Sequence, residues 1–149
     1  MKAADAGLHN NAEPLSETRR AKHAMSKRTR PGLDIFSNPS PKREYVIRHV
    51  APEFTSRCPL TGQPDFGTVI IEYVPDKRCV ELKSLKLYLQ AFRDEGIFYE
   101  AVTNRILDEL VAALAPRRMR VETRWRPRGG MHSVIVAGYE KPRRKRAAR

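Results

Sequence analysis

The chain has 149 residues, room for one domain of ordinary size, and 40% hydrophobic with 31% charged residues suits a folded globular protein. Its net charge of +12 comes mainly from the ends: residues 141–149 hold six bases and no acid, residues 1–30 hold seven bases against three acids, and the rest carries a net of only +2. No apolar run approaches the roughly 20 residues that span a bilayer, and two cysteines with four scattered histidines make neither a disulfide framework nor a zinc spacing, which excludes membrane-helix, disulfide-scaffold and zinc-module classes.

In chain order, residues 1–33 are polar and basic and predict a flexible arm, within which Met25 offers an alternative start. The first residues lack the charged-then-apolar pattern of a secretory signal, and free thiols suit a cytosolic setting. Asn38-Pro39-Ser40-Pro41 is a stiff lead-in, because each proline biases its neighbour toward extended backbone. A first strand is expected over 44–50, a proline-containing loop over 51–66, and a β-branched strand over 67–74 ended by Pro75. Two helices follow, over 84–93 and 98–114; in the second, Phe98, Val102, Ile106, Leu110 and Leu114 recur every four residues. Residues 117–126 alternate Met119, Val121, Thr123 and Trp125 against charged neighbours, and after Pro127-Arg128-Gly129-Gly130 a last strand covers 132–139. The order ββααββ predicts an α+β domain over 34–140, an antiparallel sheet with both helices on one face, and a basic tail over 141–149. So short a sheet has open edges, and homo-oligomerisation is the natural way to cover them.

Two stretches stand out chemically. Between Phe54 and Phe66, Cys58 and Asp65 lie seven residues apart in a segment rich in Pro and Gly. A loop thiol can act as a nucleophile, and a nearby carboxyl can move protons; the blander reading is a buried thiol and a turn-forming aspartate. In Val80-Glu81-Leu82-Lys83-Ser84-Leu85-Lys86, the two lysines share a helical face and could meet a phosphate, although such pairs are more often simply solvated. Glu100 falls in the first turn of the second helix, where the macrodipole favours an anion.

The pattern S-x-C-P-x-T-G-Q-P-D-F over 56–66, E-x-K-S-L-K-x-Y over 81–88, the aromatic-Glu pair at 99–100 and P-R-G-G at 127–130 together resemble the NADPH-dependent 7-cyano-7-deazaguanine reductases of the queuosine pathway, in their single-module form. The resemblance runs from about Leu33 to Tyr139. It implies that Cys58 adds to the substrate nitrile to form a thioimide, that Asp65 donates the proton, and that two NADPH each deliver a hydride. It implies that Val80, Glu81, Leu82, Tyr99 and Glu100 contact the deazaguanine, and that Lys83, Lys86 and Arg128 contact cofactor phosphates. This would explain NADPH use without the G-x-G-x-x-G of a dinucleotide-binding βαβ unit. Tyr99 departs from the family, which commonly has His there, and Tyr does not carry protons near neutral pH as His does. The implied architecture is the tunnelling fold, in which ββααββ modules join sheets into a barrel with active sites between subunits. Within that fold the GTP cyclohydrolase I type is disfavoured by the missing zinc ligands.

The rival reading is a small basic RNA-binding or assembly protein whose tails do the work. It predicts strongly salt-dependent affinity for nucleic acid and no turnover.

Overall fold

The computed structural model describes residues 32–142; the predicted arm and tail lie almost wholly outside them. Six strands and two helices follow in the order β1 (Ile35–Ser37), β2 (Ile47–Arg57), β3 (Pro64–Val74), β4 (Arg78–Val80), α1 (Leu82–Gln90), α2 (Tyr99–Leu114), β5 (Arg118–Trp125) and β6 (Val134–Glu140), with a short 3-10 turn, Ala91–Asp94, between the helices. Strands β2-β3-β5-β6 form one antiparallel sheet in that spatial order, and β1 pairs with β4 in a small separate ribbon.

The alternation read from the sequence sets which face is buried. Met119, Val121, Thr123 and Trp125 of β5 face the helices together with Val69, Ile71 and Tyr73 of β3. Against them α2 lays Val102, Ile106, Leu107, Leu110 and Leu114, and α1 adds Leu85, Tyr88 and Leu89. Both helices therefore cover one side. The opposite side carries Arg48 paired with Glu72, Glu122 held between Arg120 and Arg124, and the exposed valines Val50, Val134 and Val136.

Three expectations need correction. Residues 51–66 are not one loop: β2 runs on to Arg57 and β3 starts at Pro64, leaving only six residues between them. Two of the three prolines misled because each occupies a place that a sheet tolerates, while Pro59 lies in the turn itself. Pro52 lies where the register shifts between Ala51 and Phe54, on an edge strand, and Pro64 is the first residue of its strand. Second, Phe98 is the N-cap of α2 and is exposed, so it extends the helix's four-residue repeat without joining its buried stripe. Third, α1 begins two residues earlier than the pattern suggested, because the Glu81 carboxylate accepts the backbone N–H groups of Lys83 and Ser84 at 2.8 and 2.7 Å and so caps the helix. These bonds hold the Glu81 carboxyl below its ordinary range.

Candidate active site

The β2–β3 loop is held as a compact ring. Cys58 N–H donates to the Gln63 carbonyl at 2.8 Å, Gly62 N–H returns to the Cys58 carbonyl at 2.9 Å, and Gly62 takes the positive φ (72°) that this closure needs. Strand pairing of Arg57 with Pro64 pins both ends. The fold thereby presents the half-buried Cys58 thiol to a local set of donors. The Thr61 hydroxyl, then the Thr61 and Leu60 amides, push the thiol below its usual range, against opposition from partial burial and from the Asp65 charge. A thiol so biased has more of its reactive thiolate near neutral pH.

Asp65 is 2% exposed. A buried carboxylate needs paired donors, and two converge on it from different elements. Tyr99 Oη, from the first turn of α2, donates to Oδ1 at 2.6 Å, and Arg128 Nη2 reaches the same oxygen at 2.9 Å. Arg128 Nη2 also donates to the Pro64 carbonyl at 2.8 Å. Arg128 is placed by the two-residue turn that follows it: Gly129 and Gly130 have φ of 56° and 78°, the pair of positive values that a type I′ hairpin turn requires, and Arg128 bridges to Met131 across them. Tyr99 stacks on Trp125 with ring centroids 3.9 Å apart and planes 10° from parallel. Burial and the bond to Asp65 push the Tyr99 hydroxyl up to about 12.

The close contact between β3 and β5 is what lets Trp125 lie there. A Cβ on Gly67 would stand 2.7 Å from the Arg124 carbonyl oxygen and 3.2 Å from the Trp125 ring. Thus Cys58, Asp65, Tyr99 and Arg128, distant in sequence, form one cluster. Thr61 and Trp125 belong to it and were not singled out by the sequence reading; the packing role of Trp125 was visible in the β5 alternation, its use as a platform was not.

The other predicted residues lie elsewhere. Lys83 and Lys86 are exposed on α1 and, with Glu81 and Leu82, line a cleft of about 650 Å³ against β2. His49 lines the same cleft, and its Nε2 is buried with no hydrogen-bond partner among the described residues. None of Cys58, Asp65, Tyr99, Glu100 and Arg128 lines this cleft. Val80 is buried in the core beside β1, with its N–H donating to Tyr73 Oη at 3.2 Å. Glu100 is exposed next to Tyr99, and its carboxylate has no partner among the described residues.

Among the described residues no cluster of His, Cys, Asp and Glu could hold a metal ion, and no helix is long and apolar enough to cross a membrane.

Comparison with known proteins adds the following. Residues 64–144 match the family described as QueF-like protein. The chain is 62% identical over 107 residues to an NADPH-dependent 7-cyano-7-deazaguanine reductase of Rhodopirellula baltica, which covers 72% of this chain and 88% of that relative. It is 53% identical over 118 residues to the like-named protein of Alkalilimnicola ehrlichii, covering 79% and 92%. Among solved structures, the apo form of an archaeosine synthase QueF-Like superposes with a TM-score of 0.60 at 21% identity, over 66% of this chain and 96% of that one, which bears on the fold alone.

Proposed function

The chain belongs to the family of NADPH-dependent 7-cyano-7-deazaguanine reductases, and from that premise we propose how its own residues divide the work of reducing a nitrile. The enzyme converts 7-cyano-7-deazaguanine to 7-aminomethyl-7-deazaguanine at the expense of NADPH, a step of tRNA queuosine synthesis. The observation that carries the assignment of roles is the convergence of a thiol biased toward thiolate and a buried, doubly held carboxyl at one end of the β2–β3 hairpin.

Cys58 Sγ attacks the nitrile carbon; a sulfur lone pair forms the C–S bond, one C–N π bond becomes a nitrogen lone pair, and Asp65 in its acid form supplies the proton to that nitrogen. The product is a thioimide, a better hydride acceptor than the nitrile, so a hard reduction is divided into easier steps. When bound, NADPH would supply two hydrides in succession, four electrons in all; between them the C–S bond breaks, returning the Cys58 thiolate and leaving an imine that the second hydride takes to the amine. Glu100, with a carboxylate free to accept two donors, reads the 2-amino and ring N–H edge of the base. Val80, Glu81, Leu82 and Tyr99 border the base; Glu81 does so while capping α1, which fixes its position.

The residues along α1 suit the cofactor. Lys83 and Lys86 place two ammonium groups at the mouth of a cleft whose volume falls within the usual range for ligand sites, about 300–1,000 Å³. The unpartnered His49 Nε2 in its wall offers a further polar contact. Arg128 spends one nitrogen on Asp65 and Pro64, and its remaining donors are available to a phosphate.

The α1 residues and the Cys58 cluster occupy separate places in one chain, and among the described residues β6 and all of β2 but the Arg57 end, which bridges Gly96, pair with no further strand on their outer sides. Both features favour a homo-oligomer of the tunnelling-fold kind, in which sheets join edge to edge and a site is completed between subunits. A cytosolic location accords with two free thiols and NADPH use. The near-neutral central region speaks against a polymeric nucleic acid as the main partner.

The test is spectrophotometric: adding the nitrile to enzyme and NADPH is expected to consume two NADPH per nitrile. Intact-mass analysis without NADPH should find the nitrile attached at Cys58, and Cys58→Ala should lose both signals. Equal NADPH consumption by Cys58→Ala would remove Cys58 as nucleophile.

A further inference from the structure

The hydrogen bond from Tyr99 and the ion pair with Arg128 meet Asp65 at the same oxygen. Tyr99 Oη and Arg128 Nη2 reach Oδ1, and Oδ2 makes no bond to the described residues. A carboxylate oxygen has two lone pairs in the carboxyl plane. With the Tyr99 hydroxyl donating to Oδ1 and the Arg128 guanidinium paired with it at 2.9 Å, a proton on Oδ1 would have to displace one of them. The acid form of Asp65 therefore carries its proton on Oδ2, the oxygen left for substrate.

We infer that Tyr99 is a positioning residue for proton delivery: held on Trp125, its hydroxyl occupies Oδ1 of Asp65 and so fixes which carboxyl oxygen bears the transferable proton. This rests on the reading of Asp65 as proton donor. The hold on Tyr99 closes on itself. Trp125 lies under the ring, Trp125 Nε1 donates to Thr123 Oγ1 at 3.0 Å, the Thr123 and Thr103 hydroxyls meet at 2.7 Å, and the Thr103 hydroxyl is 2.7 Å from the Tyr99 carbonyl oxygen. Thr103, Thr123 and Trp125 are all buried. The ring cannot swing without breaking that circuit. With its hydroxyl pushed up to about 12, Tyr99 remains a donor throughout the neutral range, whereas an imidazole at this position would exchange its own proton there. The sequence departure at 99 thus replaces a titrating group with a permanent donor.

The experiment uses the full chain with Tyr99→Phe, which keeps the ring for stacking and removes the hydroxyl, and with Tyr99→His, which restores an N–H donor. In Tyr99→Phe the Cys58 adduct, whose nitrogen Asp65 must protonate, should form more slowly but to the wild-type extent, and kcat should fall about 10- to 100-fold, the scale of a misaligned proton transfer. Tyr99→His should recover part of that loss. Trp125 is the only tryptophan, so its fluorescence reports the stacked ring directly. A Tyr99→Phe enzyme with wild-type kcat, one in which KM rises with kcat intact, or one that no longer reaches the wild-type extent of adduct would each overturn the inference, as would equal loss in the Phe and His variants. Asp65→Asn separates the two levels: if it turns over normally, the proton-donor reading itself fails, whatever Tyr99→Phe does.

Discussion

Around Asp65 the polar groups are tied to one another within the chain, Tyr99 and Arg128 to Oδ1 and the Cys58 backbone to Gly62 and Gln63, whereas along α1 the exposed Lys83 and Lys86 line a cleft, with only the charge of Glu81 acting with Lys83. The contrast follows from the role proposed for each region. Groups that form and break bonds must be in place before substrate arrives, and the chain supplies their partners itself. Groups that bind a charged cofactor contribute most if their charge is not already neutralised. Preorganisation and vacancy are thus distributed between the hairpin end and the helix.

Substitution on the tied side should cost turnover. Asp65→Asn keeps an oxygen able to accept Tyr99 and Arg128 but has no acidic proton; kcat is expected to fall about 10²- to 10⁴-fold while the Cys58 adduct still forms slowly. Normal kcat would leave the proton to another group. Gly67→Ala attacks the platform instead. Its methyl would meet the Arg124 carbonyl at 2.7 Å, backbone that can move only with the strand, and overpacking of this kind costs about 1–3 kcal/mol. Denaturant unfolding should show that loss, and kcat should fall with it because Trp125 shifts under Tyr99; unchanged stability would show that β3 and β5 separate freely. On the open side the effect should be smaller and of another kind. Lys83→Ala with Lys86→Ala should raise KM for NADPH about tenfold, the scale of a lost charge-assisted contact, with kcat and adduct formation little changed. A fall in kcat at constant KM would place the lysines in the chemistry rather than in cofactor binding.

The same contrast governs how much could be read in advance. The strand and helix alternation of β5 and α2 was legible because one buried face imposes a period; Cys58 and Asp65 were singled out by a rare local motif. The length of β2 was not, because Pro52 and Pro64 signal a loop unless the bulge and the strand start that accommodate them are known. The ribbon of β1 and β4 escaped because three-residue strands have no measurable period. Nothing in the segment around Arg128 announces a carboxylate partner; its contact with Asp65 depends on the hairpin turn at Gly129-Gly130 folding back over the start of β3. The N-cap role of Glu81 was missed because Ser, Thr, Asp and Asn dominate that position, so a glutamate there does not read as a helix start.

The finest comparison lies within the cluster, between the donors that favour the Cys58 thiolate and the charge that opposes it. The Thr61 hydroxyl is the largest of the favourable influences, and the Asp65 carboxylate acts against them. Removing Thr61 as Thr61→Ala withdraws stabilisation from the thiolate, so the thiol's pKa must rise; removing the negative charge as Asp65→Asn withdraws repulsion, so it must fall. The rate of alkylation by iodoacetamide followed against pH reads both. Its midpoint should move up in Thr61→Ala, return to the wild-type position in Thr61→Ser, and move down in Asp65→Asn, with the three rates converging at high pH where every thiol is ionised. Cys79, only 2% exposed, is the internal control and should stay unmodified while the fold is intact. If the Thr61→Ala and Asp65→Asn midpoints move in the same direction, the thiol is governed by its burial rather than by this balance of donors and charge.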